Sequence, residues 1–306
     1  MTSVLVLGAN GYIGKEVSRA FSRAGFRVYG LVRSEEKGKA LAQDEVITVV
    51  GDVSRPESLA EHFDGADVIV DASVDFSNPA AYTKGLLNAV KQSADRRAAR
   101  GGQLTFVLTS GGWVHGNTGH RGISQDSAAD PLPGLEWRRA AEQDVLALGQ
   151  ASNIRSVVVR PSLVYGRAGG FFASVFAGLT AGSIRLPGSL ENSLTTIHVD
   201  DLAELYVSVV ERAPLLNGLA LTAANRSSES VRDIISAVRR LDAAREIGVE
   251  AYTPAHLFDE GVAITQVVDT RSTRALTAWE PRKRSFVEGV AEYFYAWNAT
   301  TQHRQQ

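Results

Sequence analysis

Short runs of β-branched and apolar residues alternate with longer amphipathic stretches through the first half of the chain. Residues 4–7, 27–32, 46–50, 68–72, 104–109 and 156–160 read as strands. Between them, residues 15–24, 56–62, 80–100 and 136–151 place apolar positions at helical spacing. Strands that are apolar throughout are buried on both faces, which points to a parallel sheet with helices on each side. Right-handed crossovers turn that alternation into an α/β fold, a doubly wound parallel sheet of the Rossmann type. After Gly166 the rhythm changes: residues 167–194 are rich in Gly, Phe and Ser, and from 225 the pattern is mainly helical. The expected organisation is a first domain over 1–166, its sheet completed by parts of 195–222. A smaller, mainly helical C-terminal substrate domain, or cap, then comprises 167–194 and 223–306. The polar tail 300–306 is expected to fray.

Composition narrows the chemistry. Among 306 residues there is no Cys, which removes disulfides, thiolate metal sites and thiol nucleophiles together. Thirty-two Lys and Arg against 34 Asp and Glu leave a net charge of −2, with no electrostatic case for nucleic acid or an anionic membrane as partner. No apolar run approaches the ~20 residues of a membrane span. The opening Met1-Thr2-Ser3 lacks the basic segment of a signal peptide. No His, Asp and Glu spacing resembles a metal site. These features point to a soluble, cytoplasmic protein acting on a small molecule, and leave a homodimer open.

Gly8-Ala9-Asn10-Gly11-Tyr12-Ile13-Gly14 lies between the first strand and the first helix. Gly8 permits the tight turn, Gly11 lets the backbone approach a pyrophosphate, and Gly14 lets helix and strand pack closely. The helix N-terminus supplies free amide donors to the anion. At the end of the second strand stands Arg33, followed by Ser34, where an NAD-binding protein would carry an acid. A guanidinium matches a 2′-phosphate, so NADP(H) is the expected cofactor, although Glu35 and Glu36 follow at once. Asp52 and Val53 end the third strand, where Asp52 either accepts from an adenine amino group or caps the turn into the next helix.

The order of motifs resembles the extended short-chain dehydrogenase/reductase family, whose members include epimerases, dehydratases and reductases. The residues that carry it are Gly8-x-x-Gly11-x-x-Gly14, Gly51-Asp52-Val53, Asp71-Ala72-Ser73 and the run from Thr109 to Gly116. Arg160-Pro161-Ser162-Leu163-Val164-Tyr165-Gly166 and Ile197-His198-Val199-Asp200-Asp201-Leu202 complete the set. The resemblance implies that Asp52 and Val53 bind adenine and that Ala72, Ser73 and Val74 lie under the cofactor. It implies that Pro161, Ser162 and Val164 face the nicotinamide, and that Ser110 is the hydroxyl near a substrate carbonyl. The Asp200-Asp201 pair is expected to be structural.

The departure lies in the catalytic helix, where the family carries Tyr-x-x-x-Lys. Here the chain reads Gly134-Leu135-Glu136-Trp137-Arg138-Arg139-Ala140-Ala141-Glu142. One register puts Trp137 and Ala141 at the two positions, the other Gly134 and Arg138; neither restores the pair. Arginine fixes charge but is a poor proton donor. The candidate catalytic residues are therefore Ser110, His115 and Arg138, with His115 or water supplying the proton. Trp113, Trp137, Phe171, Phe172 and Phe176 are candidates for an apolar, aromatic-accepting pocket. The expected function is an NADP(H)-dependent oxidoreductase acting on a carbonyl, alcohol or conjugated double bond of a small, largely apolar or aromatic molecule. The alternatives are a non-catalytic NADP(H)-sensing regulator and an isomerase, lyase or cyclisation catalyst.

Overall fold

The computed structural model describes residues 1–75, 77–150 and 153–303. Its first half follows the alternation closely: β1 (Ser3–Leu7), α1 (Tyr12–Arg23), β2 (Arg27–Val32), α2 (Glu35–Ala42) and β3 (Ile47–Val50). A short 3-10 turn at Pro56–Leu59 leads into α3 (Ala60–Gly65), then β4 (Val68–Asp71), α4 (Pro79–Ala98), β5 (Leu104–Thr109) and α5 (Glu136–Gln150). Ala151, the expected end of that last helix, lies outside the described residues.

Seven parallel strands form the main sheet, in the order Leu219–Ala223, Ile154–Pro161, β5, β4, β1, β2, β3. Side chains alternate across it because successive strand residues point to opposite faces. Val4 and Val6 pack with Val17 and Phe21 of α1 and with Leu202 and Tyr206. Leu5 and Leu7 pack on the other face, with Leu86 and Val90 of α4 and Val145 of α5. Strand order reverses between β1 and β4, and ligands of such sheets bind outside the carboxyl ends at that point.

Of the stretch 195–222, the part that joins this sheet is the strand Leu219–Ala223, paired with Ile154–Pro161. Ser193–His198 pairs instead with Leu163–Gly166, in a separate four-stranded sheet. Phe172, Phe176, Ile234, Val238 and Phe286 form a third core beneath these elements. The cap combines helices with short strands, Ser183–Pro187 running parallel to Gly248–Tyr252. The chain ends in the helix Val290–His303, so Thr300 is helical where fraying was expected; residues 304–306 lie outside the described residues. Among the described residues no helix is long and apolar enough to cross a membrane. No group of three or more His, Asp or Glu among them is arranged to hold a metal.

Candidate active site

The glycine loop sits at the strand-order reversal. Gly8 has φ +74°, and its carbonyl accepts the Gly11 N–H at 2.8 Å. A Cβ on Gly8 would lie 2.7 Å from the Ala72 carbonyl oxygen and 2.9 Å from the Ser73 Cβ. A Cβ on Gly14 would overlap the Gly8 carbonyl. The loop is thus pressed between α1 and the end of β4, leaving room for a ligand only because side chains are missing. Gly11 precedes α1 and offers no side-chain cap, so the first-turn amides stay open to an anion beside exposed Asn10. Tyr12 and Ile13 line the adjoining cavity. Tyr12 donates its hydroxyl to the Gly166 carbonyl at 2.8 Å, tying the loop to the turn after Leu163–Gly166.

Arg33 is exposed at the end of β2, in the field of Asp52 and Asp75, and makes no ion pair among the described residues. Ser34 caps α2 by position, with its hydroxyl unused by the helix. Asp52 accepts the Ser54 N–H at 3.0 Å, a turn role that leaves its second oxygen facing Arg55. Val53 is half-buried against the core under the sheet. After β4, Ala72, Ser73 and Val74 are half-buried. The Ser73 hydroxyl lies 2.6 Å from the Asp71 carboxylate and 2.7 Å from the Tyr82 hydroxyl. Burial pushes the Asp71 carboxyl up to about 6, against the hydrogen bonds and the Arg138 charge that favour its ionised form.

Next to the loop opens a cavity of about 730 Å³ between the sheet and the cap. Ser110, Trp113, Arg138, Pro161, Ser162, Val164 and Phe171 all line it, together with Tyr12 and Ile13. The Ser110 and Ser162 hydroxyls are both buried there without a hydrogen-bond partner. An unsatisfied buried hydroxyl costs ~1–3 kcal/mol, and both oxygens are covered within the wall, so each must turn about χ1 to meet a ligand atom. Arg138 reaches in from α5, its Nη1 3.5 Å from the Thr109 carbonyl, with no ion pair among the described residues. Burial lowers its pKa somewhat, but a guanidinium remains charged.

Four expected residues lie elsewhere. Phe172 stacks on Phe286 at 3.8 Å, and Phe176 packs on Phe286, Phe294 and Trp297; both fill the cap core because their helix turns that face inward. Trp137 points away into a groove between α4 and α5, covered by the Arg138 guanidinium at 4.5 Å. His115 is buried behind the site, with Nδ1 3.2 Å from the Ala128 carbonyl and Nε2 3.3 Å from Arg160. Burial and the Arg160 charge push its pKa down, favouring a neutral ring that holds the loop in place. It has no access to the cavity, and its ring nitrogens are engaged by Ala128 and Arg160.

Other residues near the site are structural. His198 accepts the Asp200 N–H at 3.1 Å, and burial pushes it down to about 4. Asp201 accepts the N–H groups of Arg282 and Lys283 at 3.1 and 2.9 Å, while Asp200 pairs with Arg167. Part of the cavity wall had no forewarning in the sequence: His256, Leu257 and Phe258, at the start of the helix Leu257–Val262. Phe258 meets Trp113 edge-on at 5.4 Å.

A glycine cradle at the strand-order reversal and an apolar cavity beside it, walled in part by Ser110, Ser162 and Arg138, form a layout suited to a nucleotide and a small ligand. The comparisons agree with it. A ceramide reductase of Caulobacter vibrioides is 26% identical over 306 aligned positions, covering 95% of this chain and 90% of that protein. A 4-hydroxy-2-methyl-3-oxo-4-farnesyl-3,4-dihydroquinoline-1-oxide ketoreductase of Stigmatella aurantiaca is 25% identical, over 68% of this chain and 64% of its own length. Among solved structures, dTDP-glucose 4,6-dehydratase from Bacillus anthracis, in complex with NAD, matches with a TM-score of 0.82 at 17% identity. That match covers 99% of this chain and 98% of the other, and it speaks to the fold alone. The profile of the NAD dependent epimerase/dehydratase family matches residues 4–217, which hold the glycine loop, Ser110, Arg138 and Ser162, and the chain belongs to that family.

Proposed function

We propose that this protein is an NADP(H)-dependent reductase of a small, largely apolar or aromatic molecule bearing a carbonyl or conjugated double bond. The observation that carries the reading is the apolar cavity adjoining the glycine cradle, with Ser110, Ser162 and Arg138 in its wall. Residues 1–166 with the strand Leu219–Ala223 serve as the nucleotide-binding part in this reading, and the remainder as the cap. The reductase names among the relatives support the chemistry; the NAD complexes among the structural neighbours support a nicotinamide cofactor.

The residues present fit such a cofactor. On this reading the turn of Gly8, Gly11 and Gly14 would take the pyrophosphate, Arg33, exposed at the end of β2, would meet a 2′-phosphate, and Pro161 to Val164 form part of the cavity wall with Ser110. A bound nicotinamide supplies or accepts hydride; the protein must do everything else. Ser110 and Ser162 would hold the substrate oxygen, and Arg138 places a positive charge in the same apolar space, where developing oxyanion charge is stabilised. Trp113, Phe171 and Phe258 present rings to the rest of the substrate.

Following NADPH absorbance with a panel of aromatic and aliphatic aldehydes, ketones and enones tests the reading. Turnover with apolar members is the expected result; tight NADPH binding with no consumption by any member overturns it. Ser110→Ala should then lower kcat/KM by about 100-fold without changing cofactor affinity. Equal activity of the two proteins would remove the role given to Ser110. Arg33→Ala should weaken NADPH binding ~10–100-fold, the worth of one charge-assisted contact, and leave NADH binding nearly unchanged. Equal losses for the two cofactors would remove the NADP assignment. The sensor reading draws on the lining of the cavity, where among the described residues there is no lysine and the tyrosine present, Tyr12, is committed to Gly166. Binding of NADPH without turnover is the result that would favour it.

A further inference from the structure

Reduction of a carbonyl leaves an alkoxide that needs one proton, and the tyrosine that supplies it elsewhere in the family is missing. Among the cavity's side chains, the serine hydroxyls and the Arg138 guanidinium do not release protons near neutral pH. Tyr12 is held by Gly166, and burial pushes its phenol far above the usual range. His115 lies behind the wall. Among the described wall residues, the one left with proton-exchange chemistry is His256.

We propose that His256, presented by the cap, is the proton donor of the site, an assignment that rests on the reductase reading above. As hydride arrives at the carbonyl carbon, the C=O π pair withdraws to oxygen. The His256 imidazolium N–H then breaks, the O–H bond forms, and the ring is left neutral. Water at the cavity mouth reprotonates it. The electron pair comes with the hydride of a reduced nicotinamide cofactor, so charge and atoms balance.

Three features of the fold support the role. His256 occupies the N-cap position of Leu257–Val262 without bonding the helix, and its ring makes no hydrogen bond among the described residues. It is exposed, as a donor that must reload from solvent has to be. The helix behind it is seated firmly against the Ser110 wall: Phe258 meets Trp113, and Gly261 lets the backbone lie on the Trp113 ring, which a Cβ there would strike. Asp259 and Glu260 follow it on its own helix, and Asp259 acts on Tyr252 of the preceding strand, whose ring Arg185 covers. Among the described residues the cavity wall adds Arg138 as a charged group, while His115 lies behind it.

His256→Gln is the test, with ethyl benzoylformate as probe and thermal unfolding as the check on folding. The variant should lose about 100-fold or more in kcat, while NADPH affinity stays unchanged. The wild-type rate should depend on pH in a way that the variant's does not. Independently of turnover, adding the probe to histidine-labelled protein should shift the His256 ring resonances, identified by their absence in the variant, and leave those of His115 in place. Wild-type rate and pH profile in the variant, with no resonance shift, overturn the role of His256 and leave the reductase reading standing. NADPH binding by the wild type with no carbonyl turned over removes both.

Discussion

Glu142→Ala should lower the unfolding free energy by about 3–5 kcal/mol, the cost of leaving a buried charge without its partner. Glu142 is fully buried on α5, and both its oxygens accept from Arg160, at 3.0 Å from Nε and 2.8 Å from Nη2. Arg160 in turn donates to the Gln125 carbonyl at 3.1 Å and meets His115. This pair therefore joins α5, the strand leading to Pro161 and Ser162, and the loop after Ser110. Denaturant unfolding of the single variant checks the figure. Replacing both partners, as Glu142→Leu with Arg160→Met, should restore much of the loss, because no charge is then stranded in the interior. The double variant would still lack the tie to Gln125 and His115, so limited proteolysis should cut residues 116–130 faster than in the wild type. A single variant as stable as the wild type would mean that water or carbonyl acceptors such as that of Gln125 already compensate Arg160.

The contrast between what the sequence disclosed and what it concealed has the same physical source. Short continuous apolar runs, helical spacing between them and glycine spacing are local properties, so the sheet, α1 and the phosphate loop could be read directly. Val4 and Leu5 part to opposite cores because strand geometry leaves no choice. The phenylalanines of 171–176 are a different matter. Three of them fall within six residues, yet only Phe171 faces the cavity, because the direction of that helix is set by Phe286 and Trp297 more than 100 residues later. His115 misled for a similar reason: its motif position was visible, while the Arg160 charge that occupies its ring was not. His256 had no motif at all, and it reaches the site only through the packing of Phe258 and Gly261 on Trp113. The nearest sequence signal was an imidazole immediately before two large apolar residues at a helix start, a pattern too common to single out.

Gly8→Ala should nearly abolish cofactor binding, with an affinity loss of about 100-fold or more for NADPH and NADH alike, and should destabilise the fold by ~2–4 kcal/mol. Two costs combine. A left-handed residue with a Cβ is strained by itself, by ~1–3 kcal/mol. The new Cβ would also stand 2.7 Å from the Ala72 oxygen, and backbone there can yield only by moving β4's end away from β1. Gly25→Ala separates the two. Gly25 has φ +82°, much like Gly8, but a Cβ there meets nothing within 4 Å. It should show the conformational strain without the crowding, and leave cofactor affinity untouched. Denaturant unfolding and cofactor titration of both variants give four numbers, of which the difference between the two glycines is the decisive one. If Gly8→Ala cost no more than Gly25→Ala and bound cofactor as the wild type does, the loop would not be the cradle. If affinity alone fell, the Ala72–Ser73 segment would be yielding, and the cradle's shape, rather than its stability, would be what the missing side chain protects.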